Sequence, residues 1–166
     1  MRAALTLLLA CALASCGEQG GGEFSFWQTK RTGANATLRV EVKTTGLVID
    51  AANVLEPGEE QRIGRLAEKA GETSRRKVLV LTVPPLAGQS LEQFGWAING
   101  QRKDEGTVLL MVRPDDRMVR VESGGALTPV QAARVAAAMG PQLAAKRPAA
   151  AIETGLGVYA SLWGAD

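Results

Sequence analysis

The sequence predicts an α/β protein, a three-layer α/β/α sandwich with a small mixed sheet. Residues 78–83 and 107–112 are apolar almost throughout, which is typical of strands that are covered on both faces. Segments with helical periodicity and helix-start signals lie between and after these strands. Strands buried on both sides need helices on both sides of the sheet, and this requirement predicts the fold class.

The first predicted helix covers residues 56–72. Pro57 suits the first helical turn. Gly71 is predicted to end the helix, because glycine is the poorest helix former after proline. The apolar residues of this segment recur at helical spacing and form one stripe: Ile63, Leu66, Ala67 and Ala70.

The middle of the chain predicts a second buried strand and a hairpin. After two prolines at 84–85, a short helix is predicted over residues 90–98. The buried strand at 107–112 follows, and residues 113–117 form a tight turn. Residues 118–122 then return antiparallel to it, with alternate side chains on one face.

Two helices complete the predicted domain. Thr128 opens a capping-box pattern with proline at the first helical position. The glycine and proline at 140–141 predict a break, and Pro148 starts the last helix. Gly155 and Gly157 lower helix propensity, so we expect them to allow close packing on the sheet.

The first 15 residues form a predicted secretory signal. One arginine precedes an apolar run over residues 3–14, which is shorter than the roughly 20 residues of a transmembrane helix. Residues 13–16, Leu-Ala-Ser-Cys, resemble the lipobox of bacterial lipoproteins. The resemblance implies cleavage before Cys16 and acylation of its thiol, which would hold the protein at a membrane. The alternative is an ordinary secretory signal with an incidental cysteine.

The mature chain is predicted to have three parts. Residues 16–23 comprise the lipidated cysteine and a glycine-rich flexible tether. Residues 24–45 form an N-terminal extension, with alternation typical of a strand at 36–44, and residues 46–163 form the domain. Three aromatic residues of the extension are candidate partner contacts, which could also fold back on the domain or enter the lipid headgroup layer: Phe24, Phe26 and Trp27.

Composition excludes several classes of function. The net charge is +2, or +1 without Arg2 of the signal, which gives no electrostatic basis for binding nucleic acid. The chain contains no histidine. Histidine metal clusters and Ser-His-Asp or Cys-His nucleophile pairs are therefore excluded.

Carboxylates remain as candidate functional groups. Asp50, Asp104, Asp115 and Asp116 lie at strand ends or in connecting loops. If they converge in space, they could supply the hard oxygen ligands that Ca²⁺ prefers. Each also has a structural interpretation. Asp50 can accept backbone N–H bonds, Asp104 can form a turn before a strand, and Asp115 and Asp116 suit a type I turn after proline.

The order of three sequence blocks resembles the TPM domain, a family of thylakoid-lumen and bacterial envelope proteins. The blocks are VIDAA at residues 48–52, DEG at 104–106 and DRMVR at 116–120. The resemblance implies the same α/β/α sandwich. It also permits a calcium site at Asp50 and Asp104, since some TPM domains bind calcium at such loops.

Two departures from the family pattern point to a reduced or lost acidic site. The segment at 94–100 reaches Asp104 several residues sooner than in the family, and residues 123–127 lead directly to the helix cap. Both shortened loops should lie near the end of the sheet where the site would form.

The sequence therefore predicts a non-enzymatic, periplasm-facing lipoprotein that serves as a binding or accessory factor for an envelope membrane-protein complex. Gly17 after the cysteine favours the outer membrane over the inner one. Two alternatives stay open. One is a divalent-metal-dependent, phosphatase-like hydrolase that uses the aspartates with calcium or magnesium, as proposed for plant relatives. The other is a structural envelope lipoprotein without a ligand.

Overall fold

The computed structural model describes residues 46–85, 90–92 and 106–164. The predicted signal, Cys16, the tether, the extension with its aromatic residues, and Asp104 lie outside the described residues. The prediction of an α/β fold with a small mixed sheet is confirmed. The strands are β1 (Val48–Asp50), β2 (Lys77–Thr82), β3 (Thr107–Arg113) and β4 (Met118–Glu122). The helices are α1 (Pro57–Ser74), α2 (Pro129–Ala144) and α3 (Pro148–Ser161).

The four described strands form one sheet in the order β1-β2-β3-β4. β1, β2 and β3 run parallel, and β4 returns antiparallel to β3. The three parallel strands therefore end on the same side of the sheet. Asp50, Thr82 and Arg113 are the last residues of these strands and lie at neighbouring positions. We call this side the carboxyl end of the sheet.

Both faces of the sheet are buried, as the apolar strands predict. Val78, Val80, Val108 and Leu110 face the main core, which they share with α1, α2 and α3. The alternate side chains of the same strands form a second core with Leu91; they are Ile49, Leu79, Leu81, Leu109 and Met111. The three long helices of the described residues thus pack on one face of the sheet. Among the described residues, no helix is both long and apolar enough to cross a bilayer.

The helix ends differ from two sequence predictions. α1 continues through Gly71 and ends at Ser74, with Arg75 in the left-handed conformation at its cap. A Cβ on Gly71 would lie 2.8 Å from the Arg76 carbonyl oxygen, so the glycine allows the chain to pass closely into β2. α2 likewise continues through Pro141, because burial of Leu143 in the core outweighs one missing hydrogen bond.

The glycines of α3 do not pack on the sheet, as the sequence analysis had predicted they would. A Cβ on Gly155 would lie 2.5 Å from the Met139 sulfur, so Gly155 allows α3 to approach α2 rather than the sheet. Gly157 is exposed and has open space around its Cα. Only Gly155 therefore has a packing role.

Candidate functional site

Asp50 holds the loop that follows β1. Its carboxylate accepts hydrogen bonds from the backbone N–H groups of Val54 (3.2 Å) and Leu55 (2.9 Å) and from the Thr82 hydroxyl. Thr82 is fully buried at the end of β2, and its oxygen accepts a bond from the Ala52 N–H at 3.1 Å. The pair arises because the parallel register places Asp50 opposite Thr82.

This arrangement uses most of the hydrogen-bonding capacity of Asp50. A carboxylate has about four acceptor positions, and three of them receive donors here. The N–H and O–H groups occupy the acceptor positions of the carboxylate that a metal cation would otherwise use. The contacts fit the structural interpretation of Asp50, in which it accepts backbone N–H bonds.

Asp116 is held by a cation in the β3–β4 turn. The carboxylate accepts two hydrogen bonds from Arg113, one from Nε at 2.8 Å and one from Nη2. The hydrogen bond from Arg113 holds the pKa of Asp116 below its usual value of 3.8. The turn closes through a backbone bond from the Arg117 N–H to the Pro114 carbonyl, at 3.3 Å, with Arg117 at a φ of +58°.

Asp115, the neighbour of Asp116, faces an open cleft of about 590 Å³ at the carboxyl end of the sheet. The cleft lies between the loop before α1, the β3–β4 turn and the α2–α3 connection. Its apolar walls are Val54, Pro114, Leu143 and Pro148, and its charged side chains are Asp115, Arg117 and Lys146.

The charges of this cleft are available to a ligand. Asp115, Arg117 and Lys146 are exposed. Among the ion pairs that join described residues, none involves these three side chains. The side chains carry two positive charges and one negative charge, so the lining has a net charge of +1.

A second groove, of about 520 Å³, lies between β4 and α2. Ala132, Ala133 and Ala136 line its helical side. Arg120 and Glu122 on its strand side pair with each other, and Arg120 also reaches Glu92 at 3.2 Å. Its two charged residues are thus already paired, which makes the cleft at the carboxyl end the stronger candidate site.

The structure does not bring the described aspartates together as a group of metal ligands. In the part of the chain that the structure describes, no group of three acidic, cysteine or histidine residues is placed to hold a metal ion. Asp50 is occupied by donors, Asp116 is paired with Arg113, and Asp115 lines the cleft. These residues do not fit Ca²⁺, which needs about six to eight oxygen ligands. A site that includes Asp104 stays a prediction.

Sequence reasoning missed Thr82, Arg117 and Lys146. The signal for Thr82 was a single polar residue at the end of an otherwise apolar strand. Arg117 lies in the DRMVR block that resembles the family, but the block gave no role for its side chain. Lys146 gave no signal, because exposed basic residues in turns are common. Only the fold brings them to one cleft.

Comparisons with known proteins agree with this architecture. The N-terminal domain of cg2496 protein from Corynebacterium glutamicum has a TM-score of 0.66 at 12% identity, over 72% of this chain and 80% of that one. For the N-terminal domain of a P. gingivalis protein the TM-score is 0.63 at 23% identity, over 71% and 82%. The BA42 protein of Bizionia argentinensis gives 0.55 at 11%, over 64% and 79%.

These likenesses establish the fold. No curated protein matches the sequence. The family model described as TPM domain matches residues 48–161, which is more than half of the chain. The protein therefore belongs to the TPM domain family.

Proposed function

We propose that this protein is a lipid-anchored, periplasm-facing TPM domain that acts as a non-enzymatic binding or accessory factor for an envelope membrane-protein complex. The support for the anchor comes from the sequence, in the signal at 1–15 and the lipobox-like residues that end at Cys16. Gly17 favours placement in the outer membrane.

One structural observation carries the choice of binding over catalysis. At the carboxyl end of the sheet, Asp50 and Asp116 are hydrogen-bonded within the chain. Beside them lies a cleft with charges of both signs, and these charges form no ion pair with another described residue. Ligands of α/β folds commonly bind in crevices at the carboxyl ends of strands. The carboxylates support the walls of such a crevice rather than a metal-dependent reaction.

The anchor is tested in a Gram-negative host with the full chain and its own signal. We expect wild-type protein in the membrane fraction, with an acylated N-terminal peptide in mass spectra. The Cys16→Ala variant should lose the acyl mass. The Cys11→Ala variant is the matched control, since it changes a cysteine in the signal and leaves position 16 intact. An unmodified, membrane-free wild-type protein would contradict the anchor.

The accessory role is tested by chemical cross-linking in the envelope, followed by affinity purification after solubilisation. We expect one membrane-protein complex to be enriched reproducibly, and its level to fall in a deletion strain. An unchanged level together with no enriched complex would overturn this role.

The hydrolase alternative has its own test. Purified protein is assayed with p-nitrophenyl phosphate in the presence of calcium, magnesium or a chelator. We expect no metal-dependent turnover. Turnover that a chelator removes, and that Asp115→Ala or Asp104→Ala abolishes, would replace the binding proposal by the enzymatic one.

A further inference from the structure

We propose that the cleft at the carboxyl end of the sheet binds the carboxyl terminus of a partner protein, with an apolar last residue. The inference rests on the proposed binding function and names the chemistry of the partner. It is carried by the charges of the cleft, its walls and its size.

The charges match one carboxylate. Arg117 presents a planar guanidinium, whose geometry suits two parallel hydrogen bonds to a carboxylate. Lys146 supplies a second cation, and Asp115 leaves the lining with a net charge of +1. A ligand with one negative charge neutralises this lining. A second negative charge would lie beside Asp115 and be repelled.

Asp115 also has a role toward a peptide. An ionised carboxylate only accepts hydrogen bonds, so it suits a ligand that carries N–H donors next to its negative charge. A peptide carboxyl terminus combines the two, because backbone N–H groups lie close to the terminal carboxylate. Inorganic phosphate is a less suitable ligand, because it carries more negative charge than a terminal carboxylate and has no N–H group.

The walls and volume favour a peptide over a small anion. Val54, Pro114 and Pro148, which are partly exposed, offer an apolar surface to a terminal side chain. The volume of about 590 Å³ lies in the range of sites that bury ligands of several hundred daltons. α3 adds to the positive potential, since its first turn has no side-chain cap and no acidic residue.

The backbone allows the cations to be removed without damage to the fold. Arg117 and Lys146 have φ angles of +58° and +59°, a region that glycine adopts readily. We therefore expect Arg117→Gly and Lys146→Gly to fold at least as well as the wild type. Arg75→Gly is the matched control. Its φ is +55°, but it precedes β2 and so lies at the opposite end of the sheet.

The experiment is an NMR titration of the full protein with two acetylated peptides of sequence Gly-Ser-Ala-Val-Leu. One ends in a free carboxylate and the other in an amide. We expect the free acid to bind the wild type at least about tenfold more tightly, since charge-assisted hydrogen bonds are lost in the amide. Shifts should concentrate on the β3–β4 turn and the α2–α3 connection.

The variants decide whether the cleft is the site. The double variant Arg117→Gly, Lys146→Gly should lose at least about tenfold in affinity for the free acid, and Arg75→Gly should bind like the wild type. The inference is overturned if acid and amide bind equally, if neither binds, or if the double variant keeps wild-type affinity. Binding of acetate with the same affinity as the peptide would also overturn it.

Failure here is distinguishable from failure of the accessory role. If the double variant still enriches the membrane complex, the accessory role stands and the carboxyl-terminal cleft does not. If the peptide binds as expected but no complex is enriched, the cleft stands and the accessory role does not.

Discussion

The two ends of the sheet are built from different kinds of interaction. At the amino end, Tyr159 is buried and its ring lies 6.3 Å from that of Trp163. The Arg76 guanidinium lies 5.4 Å from the Trp163 ring centre and covers it. At the carboxyl end, loops are held by Asp50 and by the ion pair of Asp116, and a charged cleft is open.

The two ends should contribute unequally to stability. The aromatic end depends on apolar area and close packing, which contribute most of the free energy of folding. The polar end depends on a few directional hydrogen bonds, whose net contribution is smaller. Loops held in this way can change without loss of the core, so we expect substitutions at the two ends to have unequal effects on unfolding.

The largest effect is expected at Tyr159. Tyr159→Ala removes a fully buried aromatic side chain, and we expect the free energy of unfolding to fall by about 3–5 kcal/mol, as for other aromatic-to-alanine changes in cores. Urea denaturation followed by circular dichroism measures this. A loss below about 1 kcal/mol would show that the amino end is not a centre of stability.

Tyr159→Phe isolates the hydroxyl. Within the described residues this hydroxyl is buried without a well-formed hydrogen bond. Its polar neighbours are Trp163 and Ser74, and the Ser74 hydroxyl donates to the Ala70 carbonyl at 2.8 Å. We therefore expect Tyr159→Phe to be neutral or stabilising.

The same variant predicts a pH dependence. Burial raises the pKa of Tyr159 above its usual 10.0, so the unfolded chain ionises first. The stability that depends on a neutral Tyr159 is complete below pH 10 and is lost as the pH rises through the folded-state pKa. The phenylalanine variant should keep its stability there better than the wild type. Equal losses in both proteins would contradict the cause given for the shift.

The second effect tests the polar end. Asp50→Ala leaves two backbone N–H groups and the buried Thr82 hydroxyl without their acceptor. We expect a loss of about 2–3 kcal/mol, since unsatisfied buried groups are costly, and about half of that for Asp50→Asn, which keeps one carbonyl oxygen. Asp115→Ala is the control at the same end. It should change stability by less than about 0.5 kcal/mol.

Thermal melting in the presence of Ca²⁺ is a second test of the role of Asp50. The contacts of Asp50 predict that millimolar Ca²⁺ leaves the melting temperature of the wild type unchanged. A rise in melting temperature that Asp50→Ala abolishes would show that this carboxylate binds a metal in addition to its loop.

The fold was predictable where local patterns and packing agree. The apolar runs of β2 and β3 and the capping box of Thr128 with Gln131 all predicted the observed elements. Local patterns failed where tertiary contacts override propensity. Gly71 lies within α1 because close passage into β2 requires a glycine there, and α2 continues past Pro141 because Leu143 is buried.

The candidate site was less predictable, because its contacts are distant in sequence. The four aspartates stood out as residue types, but their partners did not. Thr82 lies 32 residues from Asp50, and they meet only through the parallel register of β1 and β2. The cleft joins Val54, Arg117 and Lys146 from three separate connections, and no periodicity relates such positions.

The third effect concerns α3, which connects the two ends. A Cβ at position 155 would clash with Met139, which is fully buried. We expect Gly155→Ala to cost about 1–2 kcal/mol, as overpacking exceeds the gain in helix propensity. Gly157→Ala meets open space and should stabilise the protein by up to about 1 kcal/mol. Opposite signs in urea denaturation would confirm that only Gly155 is a packing position; equal signs would contradict it.

The smallest effect is expected at Asp116. Its side chain is 45% exposed and pairs with Arg113, whose side chain is 11% exposed. Solvent screens such a pair, so we expect Asp116→Asn to cost less than about 1 kcal/mol at pH 7.

The contribution of Asp116 to stability should depend on pH. Because the pKa of Asp116 is lowered by Arg113, this contribution is present above the usual aspartate pKa and is lost as the pH falls through the lowered value. The difference between the variant and the wild type should therefore shrink on acidification and in high salt. A cost above about 2 kcal/mol that is insensitive to salt, well beyond the range of exposed ion pairs, would show that the turn is as tightly held as the aromatic end.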